Sequence, residues 1–94
     1  MNNQHYRQLS DLTADCRRKG LIMMWTVYSR PSDYPDGYVA RLFVVGKGVK
    51  GNGGTPWVIR GATLESVRKA IPSEASERIP RDPQDEPQIV ETWL

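Results

Sequence analysis

The 94-residue chain contains a single histidine, a single cysteine and a single phenylalanine. One cysteine excludes an internal disulfide and suits a reducing compartment. His5 and Cys16 both precede the pair Met23-Met24, so nothing after that pair supplies a metal-binding imidazole or a thiol nucleophile. From Trp25 onward no side chain ordinarily titrates near neutral pH, which removes the usual general acids and bases. No run approaches the roughly 20 apolar residues that a membrane helix needs. The basic run Arg17-Arg18-Lys19 before Leu21 has the charge of a signal peptide's start. Its apolar part is short, lacks a small-residue cleavage site and continues with strand-like alternation. These absences point to a non-enzymatic binding role in the cytoplasm, with no cofactor and no metal.

What is present suits one small folded domain. The chain is 38% hydrophobic and carries three Trp, a composition that separates it from disordered polymers. Net charge is +2, but its distribution is uneven. Met1 to Lys69 holds eleven Lys or Arg against five acids, and Ala70 to Leu94 holds two against six. Such asymmetry steers a charged partner to one face or simply lets the two ends attract each other.

Residues 1–23 have two readings. Lys19-Gly20 is encoded by AAR-GGN, a purine-rich stretch placed where a ribosome-binding sequence would serve Met23 or Met24. On that reading the segment is a translated leader and the domain is 24–94. On the other it is a short helical extension, Ser10 to Lys19, capped by Ser10 and carrying Leu9, Leu12 and Cys16 as a sparse apolar face.

Further along, Met23 to Ser29 alternates with Trp25 and Val27 on one face and is rich in strand formers. Tyr34-Pro35-Asp36-Gly37-Tyr38 is a turn, because Pro presets φ, Asp caps its own backbone and Gly tolerates positive φ. Tyr38 to Val45 is apolar on both faces and predicts a central strand covered on both sides. Pro56 to Arg60 is a short strand whose Pro suits an edge. Thr63 caps a helix with Leu64, Val67 and Ile71 at helical spacing, ended by Pro72. Ser73 to Pro87 holds three Pro and is expected to run extended over the surface, and Gln88 to Leu94 is a closing strand. The order β-β-β-α-β predicts an α+β fold, a small antiparallel sheet packed on one helix, with the last strand returning beside the first.

Several motifs invite chemistry. Gly46-Lys47-Gly48-Val49-Lys50-Gly51 matches G-x-G-x-x-G after a strand, but it leads into another strand at Thr55-Pro56. The helix that would hold a pyrophosphate is missing, and a kinase-type loop lacks its partners here. Glu74, Glu77, Asp82, Asp85, Glu86 and Glu91 cluster in a Pro-rich stretch and read as a solvated acidic face. The ending Glu91-Thr92-Trp93-Leu94 fits the hydroxyl-x-apolar pattern of strand-addition ligands, but a Trp93 packed in the core would withhold it.

The chain from Met24 onward resembles a family of short bacterial and phage-associated proteins of unassigned activity. The residues carrying the resemblance are Met24-Trp25-Thr26-Val27-Tyr28, Pro31, Asp33-Tyr34-Pro35, Val39-Ala40-Arg41, Ile79-Pro80-Arg81, Pro83, Pro87 and Ile89-Val90-Glu91-Thr92-Trp93-Leu94. The resemblance implies a start at Met24 and brings no catalytic residues.

The expected function is binding of another macromolecule, a protein before a nucleic acid. Tyr28, Arg30, Tyr34, Tyr38 and Arg41 are the candidate contacts, with the extended segment Ile79 to Pro87 beside them, since Arg and aromatics dominate interface energetics. A phage-type inhibitor of a host factor falls in the same class. An exposed strand edge would allow a homodimer. The rival class is nucleic-acid binding through Lys47, Lys50 and Arg60 with Arg41 and neighbouring aromatics.

Overall fold

A computed structural model describes residues 8–49 and 51–94. The elements are α1 (Leu9–Lys19), β1 (Ile22–Ser29), β2 (Tyr38–Val45), β3 (Gly54–Gly61), α2 (Leu64–Ala70), β4 (Arg78–Pro80) and β5 (Ile89–Trp93). The five strands form one sheet in the order β3-β2-β1-β5-β4, with every neighbouring pair antiparallel. The fold is therefore α+β, and the last long strand does return beside the first. The middle of the sheet is β1, with β2 one place away and flanked on both edges.

Alternation divides the sheet into two unlike faces. Trp25, Val27, Ala40, Leu42 and Val44 point to one side and join Leu12 and Cys16 of α1 with Val67 and Ile71 near α2 in a single core. Val27, Ala40, Leu42 and Val67 have no accessible surface, and each large aliphatic side chain so buried contributes roughly 1.5–3 kcal/mol. Pairing partners share a face, so Ile22, Met24, Thr26 and Tyr28 stand beside Val45, Phe43, Arg41 and Val39 on the opposite side. Neither α1 nor α2 covers that side. The expected double covering of β2 holds at one end only: Val39 is 1% exposed, whereas Phe43 is half-buried and Val45 is 40% exposed. At the open end the apolar residues Phe43 and Val45 reflect strand propensity and cross-strand contact rather than a second layer.

The helix ends follow local chemistry. At α2, the Thr63 hydroxyl accepts from the Ser66 N–H at 3.1 Å and the Ser66 hydroxyl accepts from the Thr63 N–H at 3.3 Å, a reciprocal cap. The helix closes before Pro72, whose ring disfavours helical geometry at Ile71. At α1, Ser10 is not the cap. The cap position is Gln8, with no side-chain bond to the helix, and Ser10 lies in the first turn. Starting earlier places Leu9 on the same stripe as Leu12 and Cys16, and that burial outweighs a hydroxyl cap. Gly20 ends α1 with φ of 70°, a left-handed conformation that glycine adopts without Cβ strain.

Ser73 to Pro87 is not wholly irregular. Arg78–Pro80 adds a three-residue edge strand through Arg78↔Trp93, Ile79↔Thr92 and Pro80↔Glu91. Pro80 fits because only one side of an edge strand must pair. Glu77 and Leu94 exchange two main-chain hydrogen bonds, at 2.9 and 3.2 Å. Trp93 is half-buried against the core, so the C-terminal strand is engaged within the fold.

Candidate functional site

The uncovered sheet face gathers some of the expected residues at one end. Antiparallel register sets Tyr28 beside Val39, Val39 beside Arg60, and Thr26 beside Arg41. Arg41 is therefore diagonal to Tyr28, and its guanidinium carbon lies 5.5 Å from the ring centroid. The loop between β1 and β2 supplies Asp33, whose two carboxylate oxygens accept from one Arg41 nitrogen at 2.7 and 2.6 Å. This bond holds the Asp33 carboxyl below its usual range. On the next strand the Arg60 guanidinium lies 6.0 Å from the Tyr34 ring. The result is two Arg–Tyr stacks side by side, with one Arg anchored by a carboxylate. Such contacts fix an Arg in place at an exposed site for about 0.5–1 kcal/mol.

The loop positions Tyr34 by close approach. Arg30 donates its N–H to the Gly37 carbonyl at 2.8 Å, and the Tyr34 N–H reaches the Pro31 carbonyl at 2.9 Å. A side chain on Gly37 would meet the Gly61 carbonyl at 2.5 Å and the Tyr34 ring at 2.6 Å. Only glycine lets the loop, the ring and β3 pack this tightly. Arg30 has φ of 50°, uncommon for a side-chain-bearing residue, and is exposed.

The segment Arg81 to Gln88 closes the same end. The Ser29 N–H donates to the Gln88 carbonyl at 2.7 Å. Arg81 braces the loop by donating to the Asp85 carbonyl at 2.8 Å, and the Asp85 carboxylate accepts from the Asp82 N–H at 3.0 Å. Burial pushes the Tyr28 phenol up, and the negative field of Glu86 pushes it further, with Arg41 opposing. Tyr28 thus sits between a cationic neighbour and an acidic loop.

Other expected residues lie elsewhere. Tyr38 pairs with Ser29 and Gly61 and packs on the helix side, so it does not join Tyr28 and Tyr34. Lys47 is exposed at the tip of the β2–β3 hairpin, and Arg60 is near the far end of β3. Arg60 is six positions from Gly54, where that hairpin enters the strand, about 20 Å at strand rise. The proposed basic patch of Lys47, Arg41 and Arg60 is therefore not brought together, although Arg41 and Arg60 do share a face. Lys50 and His5 lie outside the described residues.

Glu91 belongs by sequence to the acidic cluster, yet its side chain is 1% exposed. Its carboxylate accepts from Arg68 Nε at 2.8 Å and a terminal Arg68 nitrogen at 2.6 Å, and from Trp93 Nε1 at 2.7 Å. Arg78 approaches at 3.5 Å. Alternation was the missed signal, because Glu91 opposes Val27 and so faces the core.

A cavity of about 170 Å³ lies between α1 and the stretch after α2, walled by Cys16, Leu21, Met23, Trp25 and Leu94. It is smaller than pockets that hold drug-sized ligands. Burial, and then Asp15, push the Cys16 thiol up. Among the described residues, no three His, Cys, Asp or Glu side chains gather as a metal site, and no helix is long and apolar enough to cross a membrane. No family model, curated protein or solved structure matches the chain.

Proposed function

We propose that this protein is a small non-enzymatic binding module that docks another protein on the end of its open sheet face. The observation that carries this reading is the Asp33–Arg41–Tyr28 array, an arginine held on a ring by a carboxylate at a part-exposed end of the sheet. Anchors of this kind, fixed before contact, reduce the side-chain ordering cost of association. Acidic Asp85 and Glu86 beside Tyr28 favour a protein over a polyanion at this end. Catalysis has little support, because the resolved shifts of Asp33, Glu91, Cys16 and Tyr28 all carry these groups away from neutral pH. A homodimer through β3 is disfavoured by Pro56 and by Thr55, whose hydroxyl takes the Trp57 N–H at 3.2 Å. The single cysteine favours a cytoplasmic setting.

The test is a quantitative pull-down with the full chain, Tyr28→Ala and Arg41→Ala, each with nuclease. A stoichiometric protein retained by the wild type and lost from both variants is expected. Retention by both variants, or loss of every partner on nuclease treatment, overturns the reading.

A further inference from the structure

We infer, on the docking reading above, that the protein docked on this side of the sheet is a second copy of the chain, with two sheets face to face about a two-fold axis parallel to their strands. Antiparallel strands open to water ordinarily alternate apolar with polar residues. Here the side of β1 and β2 away from the helices is apolar at one end. Ile22 is 54% exposed, Val45 is 40% exposed, and Met24 and Phe43 are half-buried. None of the four carries a charge that would resist burial, and exposed apolar patches mark contact surfaces. A whole face is about a sixth of the 6454 Å² accessible surface, about 1,000 Å², and a stable interface takes about 800 Å² from each partner.

Charge selects a second copy as the occupant. Arg60, Val39, Tyr28 and Ile89 are successive cross-strand partners, one row across β3, β2, β1 and β5. Arg60 stands at one end of the row. Glu86 stands at the other, where the Ile89 N–H donates to its carbonyl at 3.0 Å and its negative field reaches the Tyr28 phenol. Three strand spacings, about 14 Å, separate the ends. The segment 81–86 holds three acids against Arg81, so the β5 end is negative. On β2, Arg41 is already paired with Asp33 at 2.6 Å, and in the β1–β2 loop exposed Arg30 offsets exposed Asp36. Arg60 therefore leaves the β3 end positive. A two-fold axis along the strands, midway between β1 and β2, lays Arg60 of each copy on the partner's Glu86, and a closed dimer makes that contact twice.

Relief follows the same symmetry. Asp33 reaches Arg41 and Tyr34 reaches Arg60, so the β1–β2 loop raises the β2–β3 half of this end. The axis seats the raised half of each copy on the β1–β5 half of the other. At the opposite end it sets Phe43 over the partner's Met24, a sulfur–ring contact, and Val45 over the partner's Ile22. Strand directions stay nearly aligned, as in packed sheets. A two-fold axis across the strands would instead press the row of Arg60 onto Ile22 and Val45 and bury charge against apolar surface.

Sedimentation equilibrium of the full chain in dilute buffer, over a range of concentrations, tests this. A monomer–dimer equilibrium is expected, and Ile22→Lys, at an exposed position, abolishes it. Arg60→Glu and Glu86→Lys, both at exposed positions, each weaken the dimer about tenfold, because one reversal acts at two contacts. An equimolar mixture of these two variants regains the wild-type affinity, since each then meets the opposite charge in the other at both contacts. That recovery also shows that both variants fold. A monomer at every concentration overturns the inference and leaves the docking of a different protein to the pull-down. A dimer that survives Ile22→Lys, or a mixture that associates no more tightly than either variant alone, overturns it as well.

Discussion

Arg68 of α2 grips the Glu91 carboxylate of β5 through two hydrogen bonds, at 2.8 and 2.6 Å, and so ties the second helix to the far half of the sheet. The pair spans 23 positions of sequence. Trp93 donates a third hydrogen bond to the carboxylate and Arg78 stands 3.5 Å away, so the charge is compensated in a site where an unpaired one would be costly.

This pair sets the acid limit of the fold. Bonds from Arg68, and then from Trp93, hold the Glu91 carboxyl below its ordinary range. A folded value below the unfolded one means that the ionised group stabilises the protein above the unfolded value of about 4.3. That contribution drains away as pH falls through the folded value. Glu91→Gln is expected to lose about 3 kcal/mol near neutral pH, the lower part of the range for breaking a buried pair because Arg68 is 40% exposed. It should also flatten the acid limb. Urea unfolding at a series of pH values measures both, and an unchanged acid limb would assign that limb to another carboxylate.

Two glycines of one hairpin should respond differently to alanine. Gly53 has φ of 77°, and a Cβ there would run into the Val44 carbonyl oxygen, which also accepts no slack because the Val44 N–H is bonded to Gly53 O at 2.9 Å. Gly48 has φ of 87° with nothing within 4 Å of the added atom. Gly48→Ala should cost only left-handed backbone strain, about 1–2 kcal/mol. Gly53→Ala adds a main-chain clash and should cost clearly more, with the β2–β3 register disturbed. Denaturation midpoints and amide exchange in β3 separate the two, and equal costs would count against this account.

Arg41→Lys isolates recognition from stability. Lysine keeps the charge and can still reach Asp33, but it lacks the planar group that spans a carboxylate and a ring at once. Asp33 is 50% exposed, so solvent screens the pair and it adds little to folding. The melting temperature should barely move while retention of the docked protein falls sharply. A large drop in melting temperature would mean that Arg41 is structural.

Much of this architecture was legible in period-2 alternation. Tyr38–Val45 has the same bounds in the sequence and in the structure, and Thr63 caps α2 as its hydroxyl predicts. Which face of β2 is covered was not legible, because Val39, Phe43 and Val45 are as apolar as the residues they oppose. Arg78–Pro80 was missed because a three-residue edge strand has too little pattern to read, and its Pro argues against pairing. The Tyr28 and Arg41 contact follows from alternation once the register is known, but register itself depends on loop geometry that the sequence only hints at. Tyr38 is near the other tyrosines in sequence, but one pleat sends it to the opposite face.

The relation of α1 to the rest can be read through its cysteine. Cys16 is 2% exposed and packs with Leu12 and Trp25, and burial raises its thiol further from reactivity. A thiol reagent should therefore label the native chain only through opening, at a rate set by the fraction open. Leu12→Ala removes a core contact of the helix and should cost at least about 2 kcal/mol, which raises the open fraction and the labelling rate about thirtyfold. Trp fluorescence recorded at the same time distinguishes two modes of opening. If labelling and the tryptophan signal change together, α1 is cooperative with the sheet, and a chain starting at Met24 should be unstable. If labelling is fast while the tryptophan signal stays native, α1 undocks alone, and the sheet with α2 should fold from Met24 onward.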